Sequence, residues 1–180
     1  MHVDDTQLWL EEQQSDSEAM RFLGYGIALP SSEHDMHQFA ERYAEFKNHE
    51  ERLMFSAETL DGTLIGGFNI HSMDRKNGTF ETGSRVYRAH RGQGYGFEAK
   101  IMLLRYAFHE MRFQKYNIRC MATNDPMIHH ATRLGCQQEG RIRRHIYTGG
   151  EYVDELIYGL TREEFDALLA RLDSATTTNP

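Results

Sequence analysis

The chain has 180 residues, 39% hydrophobic and 26% charged, a mix that supports one sizeable core and excludes both a low-complexity disordered chain and a membrane-spanning class. Twenty Lys and Arg against 27 Asp and Glu give a net charge of −7, which attracts neither nucleic acid nor anionic lipid and favours cationic partners such as an amine or a basic peptide. With only Cys120 and Cys136, an acidic start (MHVDDTQLWLEEQQ) and no long apolar run, a disulfide framework, a signal peptide and a membrane span are all excluded, so the expectation is one cytoplasmic domain over 1–173 with a flexible tail at 174–180.

Residues 4–23 read as one or two short helices, with Asp4, Asp5, Ser15, Asp16 and Ser17 as caps and Gly24 as a stop. Ser32 and Asp35 have capping-box spacing, and Met36, Phe39, Ala40, Tyr43 and Phe46 recur at helical spacing to about Lys47. The period then switches to two. Strands are expected at 52–59, 63–73 and 79–87, joined by Asp61-Gly62 and Asn77-Gly78 turns into an antiparallel meander. From Gly96 a helical stripe runs through Phe97, Ile101, Leu104, Phe108 and Met111. A short strand at 116–122 precedes a helix at 125–134, with Pro126 in its first turn and Gly135 at its end. Strands at 138–147 and 152–160 and a closing helix at 162–172 complete a mixed α/β or α+β sheet flanked by helices.

The stretch richest in chemistry is Arg91-Gly92-Gln93-Gly94-Tyr95-Gly96, between a strand and the best helix. Glycines there admit positive φ and close ligand approach, and free N–H groups at a helix N-terminus suit a phosphate or pyrophosphate. A Walker loop is excluded because no Lys follows Gly96 in place. A dinucleotide fingerprint fails on spacing and on the antiparallel strand before it. The pattern [Q/R]-x-x-G-x-[G/A] is satisfied in full; the competing reading is a tight strand-to-helix turn with no ligand.

With that loop come Glu81-x-Gly83 before it, Glu98-Ala99 and Asn124 after it, then Leu134-Gly135, Glu139-Gly140-x-x-Arg143, Gly150, Asp154 and Tyr158-Gly-Leu. The ordered series resembles the GNAT superfamily of acetyl-CoA-dependent N-acetyltransferases over roughly residues 15–165. It is similar to the branch that holds the ribosomal-protein N-terminal and spermidine acetyltransferases. The resemblance implies a mostly antiparallel central sheet whose middle strands splay apart. It implies acetyl-CoA as co-substrate, its pyrophosphate on the backbone N–H groups of Arg91, Gly92, Gln93, Gly94, Tyr95 and Gly96. Its pantetheine arm would pair with Val86, Tyr87 and Arg88 and meet Asn124, which can equally serve as a helix N-cap. The reaction implied is direct transfer of acetyl to an amine of a small molecule or peptide. Glu81, ten positions before Arg91, is the candidate base; the plainer reading is an exposed carboxylate paired with Arg85.

The chain departs from the family where the leaving thiolate is protonated, because Met127 and Ala131 stand where Ser and Tyr are usual. His130 is the nearest replacement, and a surface histidine is the plainer reading. The family's opening strand also lacks a counterpart beyond Met1-His2-Val3. These departures keep a second reading open, a catalytically weak coenzyme A-binding sensor, and a third, a different acyl donor such as succinyl-CoA. Ten histidines form no recognised metal spacing, so no metal is expected. Arg141, Arg143 and Arg144 read as solvated charge, a coenzyme phosphate contact or a surface for an acidic partner. Phe22–Pro30 reads as an apolar lid or dimer contact. The two closing strands suggest a homodimer, unless the closing helix covers their edge.

Overall fold

The computed structural model describes residues 5–26, 31–44 and 52–177. Three helices come first, α1 (Thr6–Ser15), α2 (Ser17–Gly24) and α3 (Glu33–Ala44), then strands β1 (Arg52–Glu58), β2 (Leu64–Asp74) and β3 (Thr79–Val86). Helix α4 (Tyr95–Arg105) leads to β4 (Lys115–Met121), α5 (Asp125–Leu134), β5 (Gln137–Thr148), β6 (Glu151–Thr161) and α6 (Arg162–Thr177). Six strands form one sheet in the order β1-β2-β3-β4-β6-β5. Every neighbouring pair is antiparallel except β3–β4. The mixed sheet with flanking helices is the architecture expected from the sequence.

Local chemistry accounts for most boundaries. Gly62 (φ 85°) and Gly78 (φ 69°) make the two meander turns, a backbone region that a Cβ disfavours. Ser32 and Asp35 close a reciprocal cap, with Asp35 N donating to Ser32 Oγ at 3.1 Å and Ser32 N to Asp35 Oδ2 at 3.3 Å. Asn124 Oδ1 accepts from Met127 N at 3.1 Å to start α5, and Gly135 (φ 80°) ends it.

Phe80 anchors the main core. Its ring centroid lies 5.4 Å from Phe108, 5.1 Å from Phe113 and 5.4 Å from Tyr116. Leu104, Leu134, Leu160 and Phe165 close around it with no exposed surface. Along β3 the side chains alternate. Phe80 and Thr82 meet α4 and its π-helical extension, whereas Arg85 reaches α1. The sheet is thus covered by α4–α6 on one face and by α1–α3 on the other. Phe22 of α2 packs on a second small cluster, Met121, Ile146 and Val153.

Several expectations are corrected. The stop after α2 is not Gly24 but Tyr25, which takes the left-handed conformation (φ 54°) while its hydroxyl donates to Arg119 O at 2.9 Å. The helix from Gly96 is α-helical only to Arg105; a π-helical turn, Tyr106–Glu110, carries it onward and keeps Ala107 and Phe108 buried. The shared face of Arg141, Arg143, His145 and Tyr147 is broken by a bulge between Ile142 and Ile146, with Arg144 at φ 51°. Asp154 braces it, accepting from Arg144 N at 2.8 Å and from Arg141 Nε at 2.6 Å. Of the two closing strands only β5 lies at a sheet edge, because β6 sits between β4 and β5. Helix α6 packs Phe165 onto Phe108 over the sheet face. The opening strand at Met1–Val3, residues 27–30 of the apolar loop and the end of the third helix near Lys47 lie outside the described residues. Among the described residues no helix is long and apolar enough to cross a membrane.

Candidate active site

The parallel contact between β3 and β4 is only three residues long: Thr79 faces Lys115, Phe80 faces Tyr116 and Glu81 faces Asn117. Beyond Glu81 the strands part. β3 stays with β2 as far as Val86, and β4 stays with β6 as far as Met121. A wedge therefore opens in mid-sheet, with Glu81 at its apex and the Arg91–Gly96 loop at its wide end.

That loop is built on Gly92 (φ 74°) and Gly94 (φ 91°), the latter capping α4 without a side-chain bond. Among the described residues, the N–H groups of residues 92–96 donate to no protein acceptor, whereas Phe97 N and Glu98 N already reach back to Gly94 O. A Cβ on Gly92 or Gly94 would meet nothing within 4 Å, so the concave side of the loop is open. Unpaired donors in open space at the positive end of a helix form an anion cradle. The side chains of the motif face the protein instead. Arg91 Nε donates to Val86 O at 2.8 Å, and its guanidinium pairs with Asp16, the N-cap of α2. Burial works against the Asp16 carboxylate, but the bonds from Arg91 and Ala19 N hold it below the usual range. Gln93 donates to Ala89 O, Tyr95 lies beside His90, and Arg88 reaches Ser15 O. Tyr87 is buried against α1, with burial raising its phenol. Asn124 spends its oxygen on the α5 cap, which leaves its amide nitrogen without a partner among the described residues.

Glu81 is half-buried and makes no hydrogen bond or ion pair among the described residues. The partner expected from sequence, Arg85, instead faces Glu12 at 3.7 Å. Burial raises the Glu81 carboxyl; Arg119 opposes the shift and Glu155 adds to it. On the same face Glu155 is buried, pairing with Arg119 at 3.1 Å and with His145 at 3.7 Å. Tyr25 closes this group, its phenol pushed up to about 12 by burial and by the charges of Glu155, Cys120 and Glu81. Between the first three helices and the meander, a cavity of about 490 Å3 is lined by Trp9, Met36, Phe39, Asn69 and, from β3, Ser84 and Arg85.

The opposite face of the apex is different. His130 is not a surface residue. Its ring packs edge-on against Phe97 at 6.2 Å, and its Nε2 is buried with no partner. Burial, then the charges of Lys100 and Arg133, drives its pKa down to about 4. Lys100 is fully buried and donates to Thr82 Oγ1, which also bonds Tyr116 Oη at 2.8 Å. Sequence reasoning passed over Lys100 as a charged helix residue. Its place was the available signal, since it lies three residues after Phe97 and four before Leu104, on the apolar stripe. Among the described residues no three His, Cys, Asp or Glu side chains gather as a metal site.

A model of the GNAT acetyltransferase domain matches residues 1–137. The chain belongs to the GNAT acetyltransferase family. This GNAT chain is 34% identical over 151 residues to the SPbeta prophage-derived uncharacterized N-acetyltransferase YokL of Bacillus subtilis (strain 168), covering 84% of the chain and 82% of that protein. Its fold is similar to that of the spermidine N-acetyltransferase of Vibrio cholerae solved with CoA and spermine, with a TM-score of 0.80 at 15% identity over 92% of this chain and 94% of that one. A GNAT-family acetyltransferase of Bacillus anthracis gives a TM-score of 0.75 at 24% identity over 91% and 92%. The protein is an N-acetyltransferase.

Proposed function

We propose that the protein moves an acetyl group from acetyl-CoA directly onto the primary amine of a small molecule. The carrying observation is the wedge itself, a mid-sheet opening that runs from an anion cradle to an unpaired carboxylate. Bound acetyl-CoA supplies an activated acyl thioester. The free N–H groups of residues 92–96 hold its pyrophosphate; Arg91 N is already donated to Arg88 O. The edge of β3 left unpaired beyond Glu81 offers backbone groups to its amide-bearing arm as far as Val86, with Asn124 Nδ2 as a further donor; Val86 O and the backbone of Tyr87 and Arg88 already hold partners within the chain.

Glu81 takes the proton from the attacking amine. A carboxyl raised by burial is a stronger base than an exposed one. The amine approaches on the face of Glu81, where Glu155 adds negative character, and the cavity further along β3 at Ser84 and Arg85 can receive the body of the acceptor. The structural neighbour solved with spermine and the net charge of −7 support a cationic small amine over a neutral one. His130 borders the other face as a neutral ring able to hydrogen-bond. Two free thiols, Cys120 and Cys136, suit a reducing cytoplasm. The exposed edge of β5, where Tyr147 meets Tyr152 of β6 with tilted rings 5.0 Å apart, is the surface for a homodimer.

The test is a panel of diamines, polyamines, amino acids and short peptides with detection of free thiol. Turnover with small amines is expected. Acetyl-CoA binding without thiol release from any acceptor would establish a sensor module instead, and turnover confined to peptides would move the acceptor class. Light scattering across a dilution series reads the assembly, and a monomer mass throughout removes the dimer.

A further inference from the structure

Direct transfer leaves a thiolate, and the residues that usually protonate it are Met127 and Ala131 here. Neither side chain carries a transferable proton. The face of the wedge where the thiolate would depart holds a compact polar cluster inside the core. Thr82 is the first residue of β3 beyond the last β3–β4 pair, so its hydroxyl stands at the apex. Lys100 Nζ donates to that hydroxyl from α4, and Tyr116 Oη meets it from β4. Lys100 has no exposed surface and makes no ion pair among the described residues. Its Nζ also lies 5.7 Å from the centre of the Tyr116 ring. An ammonium placed so is costly, and a leucine would pack in its place.

We propose that Lys100 supplies, through the Thr82 hydroxyl, the proton taken by the departing thiolate. The inference rests on the acetyl-transfer reading above. As the new C–N bond forms and the C–S bond breaks, the sulfur keeps the bonding electron pair. It takes the Thr82 hydroxyl proton while Thr82 takes one from Lys100 Nζ, which becomes a neutral amine. The proton released by the substrate nitrogen goes to Glu81, and solvent resets both groups after product release.

The neighbours that face Lys100 explain why it is the donor. Burial lowers its pKa to about 7, so its proton is loosely held at neutral pH. Tyr116 on β4 is raised by burial, Cys120 on β4 is pushed up to about 11 and Cys136 beyond α5 to about 12, all poorer acids. His130 on α5 is already deprotonated. His71 on β2 is lowered by burial and by Arg52 and Lys100; Arg133 on α5 adds only fixed positive charge, and Glu164 on α6 acts on Cys136.

Lys100→Met keeps the length and removes the proton. We expect kcat to fall by about 10- to 100-fold with the KM for acetyl-CoA unchanged within about 2-fold. In the wild type kcat declines as pH rises through about 7, where Lys100 loses its proton; this alkaline limb disappears in the variant. Thr82→Val should weaken turnover in the same direction, and melting curves confirm that both variants fold. An active wild type matched by an equally active Lys100→Met with the same pH profile overturns the inference alone. A wild type inactive toward every amine overturns the parent reading and this inference with it.

Discussion

The two faces of β3 at the wedge apex lie one residue apart and solve opposite electrostatic problems. Glu81 looks toward a partly wet face where Arg119, Glu155, His145 and Tyr25 share charge. Thr82 looks into the core, where the fully buried Lys100 donates to its hydroxyl and makes no ion pair among the described residues. Burial acts on both, and because it disfavours charge it raises the carboxyl and lowers the amine. Their pKa values therefore move toward each other. An ordinary acid and an ordinary base, placed back to back across a strand, become a stronger base and a stronger acid than either would be in water. A period of two is enough to separate the roles.

The contrast can be tested from both sides. The largest effect should be on stability. Removing the buried ammonium with Lys100→Met should stabilise the fold by roughly 1–4 kcal/mol at pH 7. The sign follows from linkage. The folded pKa is about 7 against 10.5 for the free side chain, so the unfolded chain binds more protons between these values and the cost of burial is relieved as pH rises. The melting gap between variant and wild type should narrow from pH 7 to pH 10; a constant gap would show that Lys100 is not titrating. On the other face, Glu81→Gln should lower turnover about 10²-fold with acetyl-CoA affinity intact. Rates unchanged from pH 6 to 9 would reduce Glu81 to a structural carboxylate. At the wide end, Gly94→Val places a Cβ at φ 91° and should raise the KM for acetyl-CoA about 10-fold, close to 1.4 kcal/mol. Calorimetry showing unchanged affinity in a folded variant removes the cradle. The smallest effect is expected of Asn124→Ala, which loses the α5 cap and about 1 kcal/mol of stability; a donor-affinity loss beyond that would identify Asn124 as a contact of the arm.

What could be read in advance followed the range of the forces involved. The Asp61-Gly62 and Asn77-Gly78 turns, the Ser32/Asp35 cap and the αL stop at Gly135 are local, and the residues declare them. The stripe from Phe97 to Phe108 declares a buried face in the same way. The splay came only by resemblance, since a three-residue parallel contact between strands separated by a whole helix leaves no trace in either strand's pattern. Lys100 escaped notice because a charged side chain on a helix is read as solvated, although its phase on the stripe places it inward. Arg144 escaped because a bulge is decided by Asp154, ten residues away on the next strand. Tyr25 takes a conformation that its residue type disfavours, held by a bond to Arg119, far along the chain.

Splaying has a cost outside catalysis. A six-stranded open sheet ordinarily has two edges; parting β3 from β4 creates two more, inside the molecule, along the free lengths of both strands. Unpaired edges invite any extended chain, a neighbouring protein's strand included. A tightly held donor spanning the gap would tie the two half-sheets together and stabilise the fold by mass action, by about 2.7 kcal/mol at a concentration 100 times its dissociation constant. Solubility on heating, and the slow amide exchange of β3 and β4, should then depend on how much acetyl-CoA is present.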